Sequence, residues 1–263
     1  MIAGYRRLAA VALQELLVYR VAVLIWVVWS LLQIYLLSVF WTAVYGGVGA
    51  VAGVTLPGML TYAVLSTVQL NFVQTGISWY VQQRVRDGNI VMDLLRPVSF
   101  FGSRFAYDLG GLAGNLSIAA LTALLAGLFV PLQPPVSIAM AGAYLVSLLL
   151  SYSLHFLLMA LLACTAFWFT ELQGVSAVFW LVLSLLSGAV VPLWFLPPFF
   201  QQLSSWLPFQ GLVYVPVAIY IGRLAGGAVW LALLQQVIWI GVLSAVLALV
   251  WRAALRRLVV QGG

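Results

Sequence analysis

The chain has no lysine: all eleven of its basic residues are arginine, and only five acidic residues accompany them. That absence removes whole mechanisms. A phosphate-binding loop needs the lysine of its G-x-x-x-x-G-K-[ST] signature, and Schiff-base chemistry needs a lysine amine. Cysteine occurs once, at Cys164, so no internal disulfide forms, and a single His155 with no second ligand beside it leaves no zinc site. Charge is scarce as well. Charged residues make up 6% of the 263 residues, against roughly a quarter in a soluble domain, so a soluble globular fold is excluded. Proton- or sodium-coupled carriers place Asp, Glu or His at membrane depth; here the apolar stretches hold no acid away from their ends, which disfavours that class.

What remains is apolar, at 65% of residues and a mean hydropathy of +1.15. No formal charge lies between Arg20 and Arg84, between Asp108 and Glu171, between Glu171 and Arg223, or between Arg223 and Arg252. A spanning helix needs about 20 apolar residues, so these gaps predict spans near 21–44, 57–80, 107–130, 137–166, 173–192 and 227–251. The Gly-rich run 46–53 separates the first two, with Pro57 opening the second helix, and Pro131, Pro134 and Pro135 separate the third and fourth. Between 193 and 222, Pro197, Pro198, Pro208 and Pro216 cut the chain into pieces too short to cross, a pattern that reads as re-entrant.

The expected fold is therefore an all-α polytopic membrane protein with six transmembrane helices. Arginine distribution orients it: Arg223 alone falls on the outer side, all other arginines on the inner side, so both termini are expected in the cytoplasm. Leu8, Val11, Ala12, Glu15, Leu16 and Tyr19 recur at helical spacing, predicting an amphipathic helix over 1–20 along the inner surface, followed by a membrane domain over 21–263. The inner arginines are accounted for by orientation and anionic lipid, so no nucleic-acid partner is expected.

Within the spans two polar stripes stand out. Trp26, Ser30 and Gln33 share a face of the first, and Thr67, Asn71, Gln74 and Ser78 recur along the second. They are candidate pathway lining, or else partners for neighbouring helices at about 0.6–2 kcal/mol each. Trp194, Phe195, Phe199 and Trp206 cluster in the outer segment, as an aromatic belt or an outer gate. In the inner loop Y-V-Q-Q-R-V-R-D-G-N-I-V-M-D-L-L-R-P, Gly88 is expected to close a helix carrying Arg84 and Arg86, Asn89 to cap a new short helix, and Pro97 to stop it. On that helix Ile90, Val91, Leu94 and Leu95 are expected to form one apolar face, with Asp93 and Arg96 pointing elsewhere. Such an element suits a groove on a soluble partner or the lipid headgroups.

The run R-D-G-N-I-V-M-D-L-L-R-P, the P-L-W-F-L-P with a later L-P-F, and the terminal R-R-L-V-V-Q-G-G together resemble the ABC-2 family of transporter permeases, in its bacterial six-span branch. The resemblance implies a type V exporter fold in the bacterial inner membrane: a cytoplasmic connecting helix, six spans, a coupling helix at 89–96 and outer re-entrant helices at about 193–222. It implies a permease subunit without catalytic, cofactor or metal residues, moving an amphipathic, lipid-like, glycosidic or drug-like cargo outward. ATP and Mg would be handled by a separate ABC ATPase present in two copies, and the permease would pair with a second copy or a related permease. The ATPase-coupling residues it implies are Arg84, Arg86, Asp87, Asn89, Ile90, Asp93, Leu94, Leu95 and Arg96, with Glu171, beside Thr170 and Gln173, as a smaller second contact. A proton-coupled secondary carrier and a membrane-embedded lipid-modifying enzyme are the alternatives; for the latter, Asp87, Asp93 and Asp108 are too interspersed with arginine to form a paired-carboxylate site.

Overall fold

The computed structural model describes residues 20–169 and 172–257. The expected helix over 1–20, together with Thr170 and Glu171, lies outside the described residues. Helix α1 is Arg20–Tyr45, and a two-residue hairpin, β1 Ala50–Val51 with β2 Val54–Thr55, follows it. Ala52 and Gly53, both at positive φ, make its turn. Thr55 then caps helix α2, Leu56–Val73, its side chain accepting from the Gly58 N–H, with Pro57 in the first turn as expected. Next come α3 (Ile77–Arg86), α4 (Ile90–Leu94), α5 (Phe100–Ala126), α6 (Ile138–Cys164) and α7 (Gln173–Leu186). The outer segment holds α8 (Pro198–Trp206) and α9 (Tyr214–Tyr220) between short 3-10 turns, and α10 (Gly227–Arg257) ends the described chain.

Five stretches are long and apolar enough to cross a membrane: Val23–Tyr45, Leu56–Arg86, Phe100–Ala126, Ile138–Phe167 and Gly227–Arg257. The expected fifth span, 173–192, is shorter than anticipated. Helix α7 has 14 residues, about 21 Å at 1.5 Å per residue, against a hydrocarbon core of about 30 Å. It stops because Gly188 takes φ +77°, where a Cβ would lie 2.9 Å from the Tyr62 hydroxyl. The expected third span also starts seven residues earlier than its hydropathy indicated, at Phe100, directly after the extended backbone of Ser99, whose side chain makes no capping bond.

Helices α2 and α6 form the interior. In their most apolar windows 72% and 61% of residues are buried, against 17% for α1, 24% for α5 and 22% for α10, which stand around them. Helix α6 packs along α10, α9 and α3, while α2 packs on α5 and α1. The large apolar side chains exposed on the outer helices face a solvent that is itself apolar, so their exposure carries no penalty.

The non-helical outer segment sets a stricter condition. In hydrocarbon, irregular backbone is tolerated only where protein satisfies its carbonyls. Four side chains from the long helices do so. Tyr62 donates to the Gly188 carbonyl at 2.7 Å and Gln69 to that of Leu212; Ser151 and Gln236 both donate to that of Gly211, each at 2.7 Å. Gln236, fully buried, also accepts from Ser147 at 2.9 Å, so one amide joins α10, α6 and the outer segment.

Gln236→Leu keeps the approximate volume and removes these bonds, leaving the Gly211 carbonyl with Ser151 alone and the buried Ser147 hydroxyl without its acceptor, at a cost of about 1–3 kcal/mol. The expected outcome is an unfolding temperature in detergent lower by roughly 3–10 °C, with Thr42→Val on the exposed face of α1 unchanged; equal melting of the two variants would show that the clamp contributes nothing.

Candidate functional site

The inner loop folds as an elbow. Helix α2 was expected to run to about residue 80 but breaks at Gln74, whose backbone is extended (φ −59°, ψ 134°), before α3 resumes at Ile77. The carbonyls freed by the break are met from α5: the Asn115 side-chain amide donates to the Phe72 carbonyl at 3.4 Å and to the Gln74 carbonyl at 3.2 Å. Helix α3 ends where Gly88 adopts φ +69°, the left-handed conformation that glycine tolerates best. Asn89 precedes α4 as anticipated but does not cap it. Its backbone is helical (φ −78°, ψ −3°) rather than extended, and its side chain makes no capping bond.

The orientation of α4 departs from the expected apolar face. Asp93 points inward, only 6% exposed, and three groups converge on it. Arg84 Nε stands 3.1 Å away and Arg96 3.3 Å, and the Tyr80 hydroxyl donates to it at 2.8 Å. Ile90 is fully buried and Leu94 half-buried against the core, while Val91, Met92 and Leu95 stand outside at 48%, 65% and 75% exposure. A helix of five residues is too short for its apolar periodicity to decide which way it faces. A carboxylate with two guanidinium partners decides instead, because a charge-assisted bond outweighs one apolar side chain in half-wet surroundings. Arg86, Asp87, Asn89 and Arg96 rim the exposed apolar ridge.

Tyr80 joins this elbow to the spans. Its ring lies between two guanidinium groups, Arg84 at 5.3 Å and Arg104 at 3.9 Å from the centroid. Arg104 also sits over Tyr107 at 4.4 Å and 3.8 Å from Asp108, one turn along α5. Beyond Tyr80, Phe100 stacks on Trp251 of α10 with centroids 5.0 Å apart. The elbow is thus gripped by α5 and α10 through aromatic and cationic contacts. Tyr80, Arg104 and Asn115 were missed in the sequence; the signal for the first two was a tyrosine and an arginine beside span ends, and for Asn115 an amide in the middle of an apolar span.

The other predicted residues occupy separate regions. Ser30 is buried and accepts from Asn71 at 2.7 Å, joining α1 to α2, and its hydroxyl donates back to the Trp26 carbonyl. Thr67 is buried and bonds its own helix. Gln33 is half-buried, Ser78 accepts from Gln82, and Trp26 and Gln74 are exposed. In the outer segment Trp194 packs on Tyr62, Tyr214 and the Arg223 guanidinium, and Phe195 stacks on Trp41 at 5.1 Å. Phe199 and Trp206 project outward at 68% and 75% exposure. The structure therefore splits the aromatic cluster into an inward pair and an outward pair.

Asp93→Asn removes the charge that orients α4. Limited trypsin digestion in detergent, read at Arg84 and Arg86, is expected to run several-fold faster in this variant than in wild type, with Tyr80→Phe intermediate because it loses one hydrogen bond. Unchanged cleavage in Asp93→Asn would mean that apolar contacts alone hold the elbow.

No curated protein matches the chain. The family model described as ABC-2 family transporter protein matches residues 24–262, from the first turns of α1 through the end of α10. A bundle of long apolar helices with a polar elbow at one edge, matched along nearly its full length, belongs to the ABC-2 transporter family, and the chain is a transmembrane permease of an ABC transporter rather than an enzyme.

Proposed function

We propose that this permease is the transmembrane half of an exporter whose nucleotide chemistry takes place in a separate ABC ATPase, bound in two copies to a pair of permeases. The carrying observation is the elbow: an apolar ridge of Val91, Met92 and Leu95, exposed, rimmed by charges, and held on a mount that the core grips from behind. An exposed apolar ridge beside the charges of Arg86, Asp87 and Arg96 suits a groove on a soluble partner. Burying each of these three side chains contributes about 1.5–3 kcal/mol, and the rim charges select the partner and its angle.

The coupling role divides accordingly. Arg86, Asp87, Asn89, Leu95 and Arg96 face the ATPase together with Val91 and Met92; Ile90, Asp93, Leu94 and Arg84 transmit what the ATPase does. A push on the ridge reaches α5 through Tyr80 and Arg104, and α10 through Phe100 and Trp251. Motion passes as a rigid displacement because every contact in that series is packed.

In this reading α7 is the fifth of six crossings, its short length made up by the outer segment packed on its end, and both termini are cytoplasmic in a bacterial inner membrane. Thr67 and Ser30 are buried and the half-buried Asn71 bonds Ser30 within one protomer, which supports a cargo route formed between two permease copies, with Trp26 and the outward aromatics Phe199 and Trp206 beside it. A surface of that composition favours amphipathic, lipid-like, glycosidic or drug-like cargo.

Leu95→Asp and Met92→Asp are expected to insert and melt like wild type yet to lose co-purification with the partner ABC ATPase, and to abolish permease-dependent change in ATP turnover in reconstituted vesicles. Wild-type yield and turnover in both variants would overturn the docking assignment.

A further inference from the structure

A second feature lies on the inner half of the bundle and belongs to neither the elbow ridge nor the outer segment. Between α5, α6 and α10 runs an open cavity of about 620 Å³, walled by Phe101, Phe105, Phe156, Leu157, Leu247 and Trp251. Its walls are already fixed. Phe101 meets Trp251 edge-on at 4.8 Å, and Phe105 meets Phe156 at 4.9 Å. An occupant therefore finds a preformed surface and forfeits little side-chain freedom on the protein side.

The depth of the cavity indicates what fills it. From Ile240 to Trp251, both lining residues, α10 rises about 16 Å at ~1.5 Å per residue, close to half of the ~30 Å hydrocarbon core. The cavity is one leaflet deep. On α10 an i+4 row runs along it through Ile240, Ser244 and Ala248; Arg252 follows next, turned about 40° from Ala248, and Arg256 stands a further turn on and farther round the helix, both exposed. Neither makes an ion pair among the described residues, and no acid lines the cavity. An apolar slot one leaflet deep, with Arg252 just past its polar end and Arg256 a turn beyond, neither in an ion pair among the described residues, matches a molecule with an acyl chain and a negative headgroup.

We propose that this groove holds one anionic phospholipid of the inner leaflet per protomer, its chain between Phe105, Phe156 and Leu247 and its phosphate beside Arg252, with Arg256 adding positive charge at the same end of the helix. Because Trp251 also stacks on Phe100, the bound lipid supports the same aromatic block on which the elbow is mounted. The inner-leaflet assignment rests on the orientation proposed above. Binding measured in detergent does not, so a reversed topology or a failed docking assignment leaves the groove test intact.

The test titrates delipidated protein in detergent with phosphatidylglycerol or phosphatidylcholine of identical chains, read by native mass spectrometry. Wild type is expected to take up one phosphatidylglycerol per protomer in preference to phosphatidylcholine by more than tenfold, at about fivefold per arginine. Arg252→Gln with Arg256→Gln retains lipid but brings the preference to within about twofold. Ser244→Phe, and the milder Ala248→Leu should the first not fold, fill the slot and lose both lipids while the arginines remain. Equal uptake of the two lipids by wild type, a preference that survives loss of both arginines, or undiminished uptake in the filled variants would each overturn the proposal.

Discussion

In hydrocarbon a backbone carbonyl has no water to turn to, and one left without a donor costs several kcal/mol. That condition governs where this chain can depart from a helix. It departs at residues 74–76 and again through the outer segment that follows α7, and at both places polar side chains of other helices meet the freed carbonyls: Asn115 at the first, Tyr62, Gln69, Ser151 and Gln236 at the second. Much of the polar content of the long helices is positioned for this purpose. The polar stripes read along the first two spans are separate from these groups: Ser30 and Asn71 bond each other across α1 and α2, and Thr67 bonds its own helix.

The break at Gln74 is also what makes the elbow possible. A helix running unbroken to residue 80 would carry Tyr80 and Arg84 straight along the span axis. Interrupted and restarted, it turns them against α5 and brings Arg84 within reach of Asp93. The elbow is held from inside by charge and aromatic contact and offers its apolar side chains outward, the reverse of a soluble amphipathic helix and the arrangement an interface requires. The lipid groove adjoins the same aromatic block from its other side, so the ridge, the Phe100–Trp251 stack and the lipid slot form one mechanical unit at the inner edge of the bundle.

Much of the fold was legible in the sequence because lipid is a severe solvent. Charge-free stretches long enough to span had to be helices, since every backbone group must find a partner within its own segment, and the prolines of 193–222 had to break whatever they interrupted. The family resemblance, drawn from the inner loop, the outer proline pattern and the last residues, agrees with the match over 24–262. The helix ends were less legible. Hydropathy does not register that Gly188 must stop α7 beneath Tyr62, or that Asn115, forty residues away in the chain, compensates a break after Val73. The face of α4 was misjudged for a related reason: Asp93 reads as a solvated charge until Arg84, Arg96 and Tyr80 are seen around it.

By itself, then, the amino-acid order determined the class of solvent, the approximate number and placement of the long helices, the absence of lysine-based nucleotide chemistry and the position of the inner elbow. Each of these follows from composition and local spacing, to which a bilayer responds segment by segment. Tertiary structure alone decided which polar groups satisfy which carbonyls, which way Asp93 points, which apolar side chains of the elbow remain uncovered and where a groove one leaflet deep opens beside Trp251. Those outcomes depend on pairs of groups far apart in the chain, whose energies are set by distance and burial, and neither quantity exists until the helices have packed.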